Sequence, residues 1–161
     1  MKFQELIDKH PRIRQATLKD NDAILNFFDD IDMKGTGINI SYERRPDFFK
    51  FLKFQSKDIF VMLIENMDEQ ICGVATIAIR PGQVESEETY VGYLGDLRVK
   101  FDRRIAVWWR RFYDEFLVNA QYIDEFHHCR FFLTSIMDEN PVSYTHLRAH
   151  ETDSYLVCRL L

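Results

Sequence analysis

"TYVGYLGDLRVK", Thr89 to Lys100, decides how the rest of the chain is read. Its Tyr, Val and Leu residues suit a half-buried pleated strand. Gly92 and Gly95 interrupt it. A glycine inside a strand marks a bulge, or a place where a backbone or a ligand comes close. The next segment changes period. In "RRIAVWWRRFYDEFLVNA", Arg103 to Ala120, the apolar residues Ile105, Trp108, Trp109, Phe112, Tyr113 and Phe116 recur at helical spacing. Asp102 stands before them as an N-cap. "CRFFLTSIM", Cys129 to Met137, then reads as a strand, so the glycine-marked strand opens a strand–helix–strand unit.

Upstream, "DIFVMLIEN" (58–66) and "ICGVATIAIR" (71–80) flank the turn "MDEQ" and form a hairpin. "PGQVESEE" (81–88) reads as an acidic loop. Residues 1–10 read as a polar lead-in with at most one helical turn, and "RIRQA" (12–16) as a short strand. "TLKDNDAILNFFDDI" reads as a helix capped by Thr17 or Asp20, with Ile24, Leu25, Phe28 and Ile31 buried. "KGTGIN" (34–39) is a loop. "SYERRPDFFKFLKF" reads as a second helix with Phe48, Phe51 and Leu52 inward and Pro46 in its first turn. The order is strand, helix, helix, three strands, helix, strand. It predicts a mixed, largely antiparallel sheet flanked by helices, an α/β (α+β) fold.

The chain has 161 residues and a formal net charge of -5. A mildly acidic domain argues against broad nucleic-acid binding, which needs a basic face. The apolar runs are too short to span a bilayer. Cys72 and Cys129, with no signal peptide, fit a reducing cytosol. His127, His128 and Cys129 suggest ligands, but neighbours on a strand point to opposite faces; a helix end with a surface histidine pair is the simpler reading.

The end of the chain reads differently. His146 and His150 have the i, i+4 spacing of a zinc pair, yet no apolar stripe accompanies them and Pro141 precedes them. "VSYTHLRAHET" resembles a translated transposon-end sequencing adapter, and "LVCRLL" the primer that follows it. Residues 142–161 are therefore expected to be a non-native tail and are set aside.

The element order, with "GYLGDLRV" (92–99) ahead of the large helix, resembles the Gcn5-related acyltransferase (GNAT) superfamily. "IRQATLKDNDAILNFF" is similar to that family's opening strand and first helix, and "MDEN" (137–140) to the step from its fifth strand into its fourth helix. The resemblance implies a partial GNAT-like domain over residues 12–141, after a lead-in at 1–11. It would lack the family's C-terminal helix and strands and, cut there, would be inactive. It implies acetyl-CoA as donor and an amine, small-molecule or peptide, as acceptor. The backbone of Leu97 and Val99 would hold the pantetheine arm and polarise the thioester carbonyl. The start of the large helix, Arg103, Arg104, Ile105 and Ala106, would meet the pyrophosphate, with Asn140 also on the cofactor side. Asp96 would be a general base, or else a polar residue on the solvent face. Glu43, Arg44 and Arg45 would contact the acceptor. "KFDRRIAVWW" departs from the family in having no glycine where backbone amides approach phosphate. That departure favours a second reading, a degenerate, non-catalytic ligand-binding or scaffold module.

Overall fold

A computed structural model of the chain describes residues 1–31, 43–100 and 102–135. The expected loop at 34–39, the end of the last expected strand, Asn140, and the tail with His146 and His150 lie outside the described residues. Five strands form one sheet: β1 (Ile13–Gln15), β2 (Asp58–Glu65), β3 (Ile71–Val84), β4 (Glu87–Val99) and β5 (Cys129–Thr134). They lie in chain order, antiparallel from β1 to β4 and parallel between β4 and β5. Four α-helices accompany them: α1 (Phe3–Ile7), α2 (Asn21–Asp30), α3 (Phe48–Gln55) and α4 (Arg103–Asn119). The crossover through α4 is what allows β5 to lie parallel to β4.

Each face of the sheet has its own core. On one, Ile105, Trp109, Phe112 and Phe116 of α4 pack with Met62, Ile64, Ala75, Ile77 and Ile79 of the sheet. The opening residues join this core, contrary to the polar lead-in expected of them. Phe3, Leu6 and Ile7 are buried, and the Phe3 ring meets Phe60, Phe112, Phe116 and Phe126. The apolar triplet was hidden by the Lys, Gln, Glu and Asp around it. On the other face, Ile24, Leu25, Phe27 and Phe28 of α2 and Phe48, Phe49 and Leu52 of α3 cover Val61, Leu63 and Val74.

Two further expectations change. Phe51 is exposed and Phe49 takes the inward place, on the face shared with Phe48 and Leu52. Pro46 precedes the helix, and Asp47 caps it by accepting from the amides of Phe49 and Lys50. The acidic stretch at 81–88 is the end of a long hairpin, not a loop. Its two turn residues, Glu85 and Ser86, both have positive φ (52° and 69°), the geometry whose twist matches paired strands.

Candidate functional site

The glycine-marked strand contains a bulge. Thr76 of β3 faces Gly95 and Val74 faces Arg98, so Ala75 alone opposes both Asp96 and Leu97. Asp96 has φ 52°, a conformation that Asp tolerates better than most residues. The extra residue shifts the phase of the strand. Leu94, Leu97 and Val99 all pack toward the α4 core, although Leu94 and Leu97 are three apart. Tyr93, Asp96 and Arg98 serve the opposite face. Gly92 answers a separate need: a Cβ there would lie 2.4 Å from the Phe132 ring on β5.

Asp96 is held firmly. Arg44 donates to both carboxylate oxygens, at 3.0 and 2.7 Å, and the Thr76 hydroxyl donates at 3.1 Å. Arg44 and Asp96 are both largely buried, at 9% and 14% side-chain exposure. The Arg44 guanidinium also lies over Phe48 and Phe51. Of the three residues expected to meet the acceptor, Arg44 is the one the structure brings to the bulge. Glu43 is exposed and accepts from the Arg45 amide. Arg45 is tied to Asp29 and Asn26 on α2. Arg98, buried beneath α2, donates to the carbonyls of Phe28 and Ile31.

Toward the bulge, β4 runs beside β5. Among the described residues their register ends at Leu94 opposite Thr134. Lys100 donates to the Cys72 carbonyl on β3 at 2.8 Å. Antiparallel alternation then turns the backbone of Val99 away from β3. A backbone donor turned away from its paired strand is suited to an extended polar chain or a carbonyl oxygen.

At the start of α4 the Asp102 side chain caps the helix. The Asp102 carboxylate accepts from the Arg104 amide at 2.7 Å, and the Ala106 amide donates to the Asp102 carbonyl at 3.0 Å. The Arg104 amide holds the Asp102 carboxyl below its ordinary range; the Arg104 side chain and the Ile105 amide add to this. Ile105 is buried in the α4 core, so its side chain faces away from any ligand. Arg103 and Arg104 are exposed, and Arg104 reaches back to Asp102 at 3.5 Å. A negative charge therefore occupies the helix end where a phosphate would otherwise be favoured.

Near the last described β4–β5 pair, four polar side chains meet that sequence reading did not single out. The Arg80 guanidinium lies 4.7 Å from the centre of the Tyr93 ring and donates to Gln55. The Tyr93 hydroxyl donates to Ser135, just past β5, at 3.3 Å. Tyr93 stood inside the quoted strand, and its alternation with Leu94 was the available signal. Nothing in the sequence signalled that Arg44 pairs with Asp96, 52 positions away. Burial pushes the Cys129 thiol up to about 11, which removes it as a nucleophile at neutral pH. Among the described residues no cluster of His, Cys, Asp and Glu could hold a metal, and no helix is long and apolar enough to cross a membrane.

A mixed sheet with this strand order, bulged at β4 and flanked by helices, is the GNAT acyltransferase fold, and solved structures bear that out. An acetyltransferase from Trypanosoma brucei aligns with a TM-score of 0.58 at 12% identity, over 92% of this chain and 97% of that one. An aminoglycoside antibiotic 6′-N-acetyltransferase from Acinetobacter baumannii aligns at 0.60 and 12% identity, over 92% and 95%. Glucosamine-6-phosphate N-acetyltransferase from Arabidopsis thaliana aligns at 0.53 and 15% identity, over 92% and 97%. No protein-family model and no curated protein matches the chain.

Proposed function

We propose that this protein is an acyltransferase that moves an acetyl group from acetyl-CoA to an amine, with a small molecule as the favoured acceptor. The observation that carries the reading is the bulge at Asp96–Leu97, beyond which the Val99 backbone turns away from β3. The Val99 amide, with Leu97 beside it, is placed to hold the pantetheine arm and to stabilise negative charge on the thioester oxygen, as aimed amides do. The thioester supplies the activated acyl group. Arg103 and Arg104 supply positive charge for the phosphates by reaching from solvent, beside an Arg104 amide already capped by Asp102. Binding through side chains rather than amides implies a weak, salt-sensitive donor complex.

The acceptor side is the α2–α3 face. Asp96, gripped by Arg44 at both oxygens, is better suited to fixing the bulge than to taking a proton. Two of the solved structures similar to this chain are named for an aminoglycoside and for glucosamine 6-phosphate, both small amines. Calorimetry with CoA and acetyl-CoA, followed by thiol release in the presence of a panel of small amines and short peptides, tests the proposal. Micromolar binding with amine-dependent thiol release supports it; absence of binding refutes it.

The second reading, a non-catalytic module, draws on one observation: the carboxylate of Asp102 at the α4 amides. Donor binding without thiol release toward any amine would favour it.

A further inference from the structure

We infer that the acceptor amine carries an anionic group, a carboxylate or a phosphate, and that Arg80 of β3 receives it; the inference rests on the acyltransferase reading above. Along β3, Val74, Thr76, Ala78 and Arg80 alternate with Ala75, Ile77 and Ile79 of the α4 core. Arg80 therefore lies on the α2–α3 face, the acceptor side. Arg80 pairs with Val91 and Ala78 with Tyr93, so Val91 and Tyr93 share that face. The Arg80 guanidinium lies 4.7 Å from the centre of the Tyr93 ring and donates to Gln55, the last residue of α3.

The charge of Arg80 is unanswered. Among the described residues its hydrogen-bond partner is the neutral Gln55 amide, and its Nε is buried with no partner. Other arginines of this face are matched: Arg44 to Asp96, Arg45 to Asp29, and Arg98 to the carbonyls of Phe28 and Ile31. The acids around Arg80 are directed elsewhere. Asp58 pairs with Ile79 and so points to the opposite face. Glu87, four pairs further along the hairpin, accepts from Arg130. Asp96 is held by Arg44 and Thr76. A half-buried guanidinium with no counter-charge opposes stability. An oxyanion brought by a ligand would offset that, through charge-assisted hydrogen bonds from the guanidinium.

The place suits the reaction. One carbon of the Tyr93 ring is 3.2 Å from where a Cβ on Gly95 would stand, so the ring beneath Arg80 reaches back toward the bulge. Gly95 precedes Leu97 by two residues, about 7 Å at ordinary strand rise. A small amine whose anionic group lies about that far from its nitrogen spans Arg80 and a thioester held at Leu97 and Val99. Val91 and Tyr93 are half-buried and belong to neither core, which leaves them apolar surface for the carbon frame between the two ends.

The test titrates the full chain, saturated with CoA, with aminopentanol, aminopentanoate and aminopentyl phosphate. These share an amine and a frame and differ at the far end. By calorimetry, an anionic amine should bind the wild type about tenfold tighter than the alcohol, the scale of one charge-assisted hydrogen bond. Which of the two anions gains more names the source of the charge. Arg80→Gln, which keeps a hydrogen-bonding group beside Gln55, should bring the three amines within about twofold. Gln55→Glu leaves Arg80 in place and gives it an internal carboxylate; it should erase the preference as well, and raise the melting temperature. Arg130→Gln makes the same charge change as Arg80→Gln at an exposed site on β5 and should keep the preference. Equal or undetectable binding of the three amines by the wild type, or a preference that survives Arg80→Gln or Gln55→Glu, overturns the inference and leaves the acyltransferase reading intact. Failure of the wild type to bind CoA overturns that reading, and the assignment of an anionic acceptor with it.

Discussion

The bulge on β4 and the amino end of α4 lie a few residues apart, yet they differ in how their backbone groups are used. At the bulge, an extra residue frees donors, and the side chains of Arg44 and Thr76 hold the distortion in place. At the helix, an acidic side chain caps a donor, the Arg104 amide, that the helix end would otherwise expose. The bulge turns backbone groups away from β3, whereas the helix start satisfies part of its own end. Glycine explains the contrast. The strand has it at 92 and 95, where Phe132 and Tyr93 crowd in. The helix start lacks it, and a capping Asp is the stable local choice there.

The contrast breaks first at Arg44. Replacing it with Ala leaves the Asp96 carboxylate largely buried beside Thr76 alone in this cluster. Removing one partner of a buried ion pair costs about 3 kcal/mol, at the low end of its range because the pair keeps some exposure. Urea denaturation should show that loss, and Asp96→Asn in the Arg44→Ala background should recover part of it. A change near zero would mean the bulge holds itself. Gly92→Ala is the next test. Its Cβ would meet the Phe132 ring at 2.4 Å, and overpacking of that kind costs about 1–3 kcal/mol. Normal stability would show that β5 yields without cost.

The helix end is probed by binding. Arg103→Ala with Arg104→Ala should weaken CoA about tenfold, since exposed charges each contribute about 1 kcal/mol or less. The loss should fade in high salt. Asp102→Asn keeps the cap, because Asn serves there as well as Asp, and removes only the charge. CoA affinity should then rise about two- to fivefold, the scale of a helix-end charge. No gain would show that the Asp102 carboxylate does not oppose the donor, and the contrast with the bulge would lose its electrostatic half.

Much of this geometry was legible in advance, for unequal reasons. The five strands, and the helix with its Ile105–Trp109–Phe112–Phe116 stripe, follow from period alone. The interruption at Gly92 and Gly95 pointed to the bulge and to the approach of Phe132. Short elements escaped: α1 shows three apolar residues in five, too few for a period to emerge, yet all three are buried. Phe49 and Phe51 exchanged roles because both continue a helical face with Phe48 and Leu52, and packing with α2 and the sheet, not period, selects Phe49. The site was read from a family likeness at Leu97 and Val99, whereas its polar partners come from distant segments. Arg44 reaches Asp96 from the segment before α3, and Arg80 reaches Tyr93 from the neighbouring strand. Pairings of that kind are set by the sheet register, which a single sequence does not encode locally.

The smallest expected effect is a control for the largest. Arg14 grips Asp20 much as Arg44 grips Asp96, at 3.0 and 2.7 Å, and also reaches Glu65, but it lies at the β1 edge away from the bulge. The Arg14 side chain, with the Thr17 amide and hydroxyl, holds the Asp20 carboxyl down at about 2. A carboxylate lowered in the folded state stabilises it above its unfolded value of 3.8, and that contribution is lost as pH falls toward about 2. The Arg14 side chain is 39% exposed, so solvent screens the pair to about 1 kcal/mol or less. Asp20→Asn should therefore lower stability by that amount at neutral pH, with the gap to wild type closing between about pH 4 and pH 2. CoA binding should not change. A loss as large as that of Arg44→Ala would mean that a two-pronged Arg–Asp grip is equally strong wherever it sits. The strength assigned to the bulge would then belong to the pair itself and not to its burial between β4 and α3.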